Sequence, residues 1–70
     1  MSSSFIVKVN APDLFASQVY IKLDPAGKAT IAKDMTIFSK TETAERSING
    51  VLKNNHLLLE RKDFIIEELT

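Results

Sequence analysis

The chain has no cysteine and no tryptophan, a single histidine, and only two glycines and two prolines among its 70 residues. Without cysteine, neither a disulfide nor a cysteine-based zinc site can stabilise the fold. Two glycines are too few for a glycine-rich phosphate-binding loop. Because domains of about 70 residues commonly rely on disulfides, metals or oligomerisation, self-association is the remaining way to add stability, and a homodimer is one form that we consider.

The chain also has no excess of positive or negative charge and no long apolar run. Nine basic and nine acidic side chains cancel, so no overall field attracts the chain to nucleic acid or to an anionic membrane. No apolar run approaches the length of a transmembrane helix, about 20 residues, and no signal-peptide pattern is present. We therefore expect a cytoplasmic protein that does not bind a membrane.

Alternating apolar and polar residues predict strands in the first half of the chain, because a period of two is typical of a half-buried strand. The three segments with this pattern are residues 5–9, 18–24 and 28–32. Between the second and third, Asp24-Pro25-Ala26-Gly27 predicts a hairpin turn, since proline presets φ and glycine tolerates a positive φ.

The sequence allows two interpretations of where the third strand ends. Met35 and Ile37 continue the inward parity of Ala29 and Ile31 beyond Lys33-Asp34. Either the strand runs on, or a bulge or bend lies at Lys33-Asp34.

A helix is predicted to begin at Lys40. Ser39 followed three residues later by Glu42 is typical of a capping box. Gly50 costs about 1 kcal/mol relative to alanine, so the helix either packs closely there or is locally weak. A single apolar stripe suits the helix to lying on a sheet, and it consists of Ala44, Ile48, Val51 and Leu52.

The last part of the chain is less regular. Asn54-Asn55 is a C-terminal helix signal, and we interpret residues 56–59 as a last helical turn, with a loop or the start of a strand as alternatives. Residues 64–69 predict a closing strand, with a short helix as the alternative. The order β-β-β-α-β predicts an α+β fold, in which an antiparallel meander carries one helix on a face and a C-terminal strand. We expect residues 1–3 to be a disordered stub and residues 4–70 to form one domain.

Candidate catalytic groups are few. His56 has no cysteine or second histidine to complete a metal site, and no serine has a base close to it in sequence. Glu42 and Glu45 suit the helix dipole in the first helical turns. We therefore expect no enzymatic activity, no catalytic residue, no metal and no cofactor.

Strand parity predicts a binding face. If Val19 and its inward neighbours face the helix, the opposite face shows Ile6 and Tyr20 as an apolar spot with lysines around it, and aromatic residues are enriched in interface cores. Phe15 is a further candidate, because so small a fold is not expected to cover it. The predicted binding residues are Ile6, Lys8, Tyr20, Lys22 and Phe15.

Two partners suit this face. We favour a protein partner, and nucleic acid is the alternative because single-strand binders combine stacking rings with basic side chains. Ordinary solvent-exposed surface remains a third interpretation.

The junction Phe38-Ser39-Lys40-Thr41-Glu42-Thr43-Ala44-Glu45, followed by Ile48 and a short charged strand, resembles a pattern in small uncharacterised accessory proteins of phages and prophages of Gram-positive bacteria. The resemblance extends over residues 18–69. It implies a non-enzymatic protein that binds and modulates or inhibits a host or phage macromolecule, for example as an inhibitor of a defence system.

Overall fold

Four strands and one helix follow one another in the predicted order in a computed structural model that describes residues 3–54 and 59–69. The strand order in the sheet is β3-β2-β1-β4, and every neighbouring pair is antiparallel. This confirms the α+β fold class. The elements are β1 Ser4–Val9, β2 Val19–Leu23, β3 Ala29–Ala32, α1 Thr41–Asn54, a 3-10 turn Arg61–Asp63, and β4 Phe64–Leu69.

The core lies between α1 and one face of the sheet. Val7 and Ile21 from the central strands and Ile48 from the helix have no solvent exposure at all. Two phenylalanine rings, Phe38 and Phe64, join the same cluster. Each fully buried side chain of this kind contributes about 1.5–3 kcal/mol to stability, so this single layer of contacts holds the helix on the sheet.

The turn between β2 and β3 forms as the sequence predicts. Gly27 has a φ of +86°, and its N–H donates to the carbonyl of Asp24 over 2.8 Å. The Asp24 carboxylate also accepts hydrogen bonds from the backbone N–H groups of Ala26 and Lys28, at 3.0 and 2.8 Å. The hairpin is therefore held by both the backbone and the side chain of one aspartate.

The chain bends at residues 33–34, which ends β3. The strand therefore does not run on, and the inward parity of Met35 and Ile37 is lost: their side chains are 39% and 60% exposed. The bend directs the chain towards a gap in the sheet, because β1 and β2 pair only over residues 8–9 and 19–20.

Residues 36–38 fill this gap, and we call them the insert. Phe5 and Phe38 exchange both of their backbone hydrogen bonds, each 2.7 Å long. On the other side, the Thr36 N–H donates to the carbonyl of Ile21 over 3.2 Å, and the Thr36 hydroxyl accepts from the N–H of Leu23 over 2.8 Å. The insert thus pairs with both backbone groups of Phe5 on one strand, and with the carbonyl of Ile21 and the N–H of Leu23 on the other.

The helix begins one residue later than predicted. The N–H of Ala44 donates to the carbonyl of Lys40 over 3.3 Å, which puts Lys40 at the N-cap position. The third residue after it is then Thr43, so Ser39 and Glu42 each lie one position too early for the predicted capping box. That prediction is wrong, although Glu42 still places a negative charge in the first turn, where the helix dipole favours it.

Two sequence predictions fall largely on residues that lie outside the described part of the chain. The sequence predicts a last helical turn over residues 56–59, of which only Leu59 is described. Leu59 is buried and is not part of a helix. Of the stub at residues 1–3, only Ser3 is described. Residues 64–69 form a strand, so the short-helix alternative for them is wrong.

Arg61 connects the helix to the closing strand. Its guanidinium donates to both oxygens of the Glu45 carboxylate and, over 3.0 Å, to the carbonyl of Phe64. The hydrogen bond to Arg61 lowers the pKa of Glu45, because it favours the charged carboxylate. This is the charged contact that joins α1 to the start of β4.

Gly50 is expected to be a site where stability can be gained. A Cβ added to it would meet nothing within 4 Å, so close packing does not explain this glycine. Gly50→Ala should raise the free energy of unfolding by about 1 kcal/mol, because alanine loses less backbone entropy in a helix. Urea denaturation measures this, with Gly27→Ala as the contrast: that change should lower stability by about 1 kcal/mol, because the Cβ clashes at positive φ. A loss of stability in Gly50→Ala would contradict our description of the helix.

The Glu45–Arg61 pair predicts a pH dependence. Since the pKa of Glu45 is lowered in the folded protein, its stabilising effect is present above the ordinary glutamate pKa of about 4.3 and is lost as the pH falls through the lowered value. Glu45→Gln should therefore be less stable than the wild type at pH 7, and the difference should disappear in acid. Thermal unfolding from pH 2 to pH 7 tests this, with Glu68→Gln as an exposed control. A difference that stays constant across this range would contradict it.

Candidate functional site

The face of the sheet away from α1 has no helix on it among the described residues, and we call it the open face. Paired residues of neighbouring strands point to the same side of a sheet, so the register defines which side chains belong to this face. They are Ser4, Ile6, Lys8, Tyr20, Lys22, Thr30, Ala32, Ile65, Glu67 and Leu69.

Four of the five predicted binding residues share the open face, but one of them is not accessible. Lys8 lies directly opposite Tyr20, and Lys22 follows Tyr20 on the same side of β2. Ile6 is only 4% exposed although it is not part of the core cluster. Glu67 lies opposite Ile6 in the register. At 4% exposure, Ile6 offers little contact area to a partner.

The two lysines of the open face are paired with carboxylates. The Lys8 ammonium lies 2.7 Å from Glu67 and the Lys22 ammonium lies 3.5 Å from Asp34. The hydrogen bond with Glu67, followed by its negative charge, raises the pKa of Lys8. These four charges sum to zero, so the lysines do not make the face a positive patch.

Two isoleucines that strand parity did not identify supply exposed apolar surface. Ile65 is 46% exposed and lies opposite Lys8 on the open face. Ile37 is 60% exposed, and it precedes Phe38, whose ring is buried on the helix side, so alternation along the insert directs Ile37 to the open face. Tyr20 and Ile65 lie on either side of Lys8, as its partners in the register of the two neighbouring strands.

Phe15 lies elsewhere. It follows a turn in which the N–H groups of Leu14 and Phe15 both donate to the carbonyl of Ala11, each over 3.0 Å. Its ring packs against the core cluster and lines a depression of about 170 Å³ beside Gln18. The exposed apolar side chain of this segment is instead Leu14, at 45%. Phe15 is therefore not brought together with the other four predicted residues.

The described residues contain neither a cluster suited to a metal ion nor a buried polar side chain without a partner. Across residues 3–54 and 59–69, no three histidine, cysteine or carboxylate side chains lie close enough to hold a metal ion. In the same ranges, every buried side-chain nitrogen or oxygen has a hydrogen-bond partner. Within this described part, no helix has the length and apolar composition needed to cross a membrane.

Comparison of the chain with protein-family models, with curated proteins and with solved structures found no match. The resemblance to phage accessory proteins therefore stays a prediction.

The Lys8–Glu67 contact predicts a measurable titration. Because the pKa of Lys8 is raised, the pair stabilises the fold below the ordinary lysine pKa of about 10.4, and this effect is lost as the pH rises through the raised value. Glu67→Gln should move the Lys8 pKa down towards its ordinary value, as followed by NMR of the Lys8 side chain. Glu68→Gln, which changes an exposed carboxylate of the same strand, is the control and should leave the Lys8 titration as it is in the wild type. An unchanged Lys8 titration would show that the pair does not form in solution.

Proposed function

We propose that the protein is a small non-enzymatic interaction module that binds a protein partner through the open face and so modulates or inhibits a host or phage macromolecule. The observation on which this depends is the exposure of Ile37 and Ile65 on a face whose lysines are both ion-paired. Single exposed apolar residues are ordinary. Two on the same face as a tyrosine, interleaved with an ion pair that carries no net charge, provide apolar and aromatic contact area of the kind that protein interfaces bury.

Nucleic acid fits the same surface less well. Affinity for a phosphate backbone comes from cations that replace condensed counterions. Here Lys8 and Lys22 already have carboxylate partners, so a phosphate would have to displace Glu67 or Asp34.

The kind of partner follows from the charge of the face and from the resemblance to phage accessory proteins. An inhibitor that imitates DNA needs a dense acidic surface, whereas this chain is neutral and its open face balances its charges. Within the phage-related hypothesis, the partner is therefore a protein with an apolar contact surface of its own, and a second copy of this chain is one such protein.

The two exposed isoleucines provide the test. A double variant with Ile37→Lys and Ile65→Lys should keep its fold, because both side chains are exposed, and should lose the partner, because two cations would have to be buried in an apolar contact. The matched control is Leu14→Lys, which changes a similarly exposed side chain away from the open face. Circular dichroism checks that the double variant and Leu14→Lys keep the fold of the wild type.

The measurement is affinity capture from bacterial lysate, with and without nuclease and at two salt concentrations, read by mass spectrometry. A protein captured by the wild type and by Leu14→Lys but not by the double variant supports the proposal. Capture that vanishes with nuclease would support nucleic acid instead. Capture that the double variant retains would overturn the role of the open face, and sedimentation of the pure protein shows whether the partner is a second copy.

A further inference from the structure

The sheet has two edge strands, and their outer backbone groups are treated differently. In an antiparallel ladder, residues alternately direct their N–H and C=O groups towards and away from the neighbouring strand. On β4, the hydrogen bond from the Asn10 N–H to the carbonyl of Asp63 places the groups of Phe64 on the outer side. The Phe64 carbonyl accepts from Arg61, and its N–H donates to the carbonyl of Arg61. The start of the β4 edge is thus already occupied, although the outward groups of Ile66 and Glu68 receive no hydrogen bond from the described residues. The groove beside β3 is what distinguishes the other edge.

The β3 edge is not occupied in this way. The N–H of Leu23 and the carbonyl of Ile21 are bonded to Thr36, so these residues face away from β3. Their partners in the register are Ala29 and Ile31, whose backbone groups therefore point outward. No hydrogen bond to them comes from any other residue in the described ranges. Two donors and two acceptors are free along this edge.

A groove of about 410 Å³ runs between this hairpin and α1. Small side chains contribute to both of its walls, alongside the larger Leu23 and Asn54 and two cationic side chains. Gly50 belongs to the helix wall, and because a Cβ there would meet nothing within 4 Å, the glycine keeps the groove wider than alanine would. The walls include Gly27 and Ala29 on the hairpin and Thr43, Ser47 and Gly50 on the helix.

The groove also contains positive charge without a counterpart. Lys28 and Arg46 both line it, and no aspartate or glutamate does. Neither cation forms an ion pair with any carboxylate of the described residues, although Lys8 and Lys22 on the open face both do. An occupant of the groove should therefore be negatively charged.

We propose that the β3 edge and this groove bind an extended acidic peptide, which adds to the sheet as a strand beside β3. Strand addition uses free main-chain groups for affinity and pockets for alternate side chains for specificity. The outward backbone groups of Ala29 and Ile31 supply the main-chain hydrogen bonds, and the groove supplies the pockets for side chains. Acidic side chains of the peptide that point towards α1 contact Lys28 and Arg46. This site lies apart from the open face and does not depend on its proposed role.

The first experiment selects a ligand from a displayed library of random seven-residue peptides, using the full chain as bait. We expect enriched sequences that alternate β-branched and acidic residues. Amide hydrogen exchange with the synthesised peptide gives the direct readout: the N–H groups of Ala29 and Ile31 should become protected, whereas those of Thr30 and Ala32 already face β2 and should change little. Protection along β4, or no enrichment above background, would overturn the proposal.

Variants test the two components separately. Lys28→Glu combined with Arg46→Glu should weaken the peptide by about tenfold or more, because like charges would then face each other, and Lys62→Glu is the matched control at an exposed lysine outside the groove. Ala29→Pro removes one outward donor without breaking the ladder to β2 and should weaken binding about fivefold. If the double charge variant and Ala29→Pro both bound the peptide with the affinity of the wild type, the proposed site would be wrong. The double variant at Ile37 and Ile65 should bind the peptide normally, which separates this result from that of the open face.

Discussion

The insertion of residues 36–38 between β1 and β2 is the constraint on which the rest of the structure depends. The two strands pair over only two residues each, and beyond that point their facing backbone groups would lie unpaired beside the core. An unsatisfied buried group costs about 1–3 kcal/mol. The insert supplies the missing partners to Phe5, Ile21 and Leu23, so the sheet stays continuous from β3 to β4.

The same three residues position both faces of the protein. Because Phe38 exchanges two hydrogen bonds with Phe5, its ring is fixed in the core under α1, and the helix begins shortly after it. Alternation then places Ile37 on the opposite side, where it is exposed. The packing of the helix and the apolar character of the open face thus have one structural origin.

The sequence predicted the elements whose signals are local and missed those that depend on distant pairing. Strict alternation in β2 and the turn at Asp24–Gly27 were sufficient to identify the hairpin. The continued parity of Met35 and Ile37 after Ile31 indicated further strand, because a local pattern does not contain the gap between β1 and β2 that draws the chain away. Likewise, the lysines of the open face were identified from parity, whereas the carboxylate opposite Lys8 became known only with the β1–β4 register.

The net charge does not show how charged side chains are distributed and paired over the surface. Nine positive and nine negative side chains indicate a neutral surface, yet the pairing of charges differs from one region to another. Lys8 and Lys22 of the open face have carboxylate partners, whereas Lys28 and Arg46 beside the β3 edge form no ion pair with the carboxylates that the structure describes. The helix there also contains a glycine that lowers its intrinsic stability by about 1 kcal/mol and has no packing role. A fold with a small core would gain stability from replacing that glycine. The glycine lines the same groove as Lys28 and Arg46, so the intrinsic weakness of the helix coincides with the place where we propose that a peptide binds.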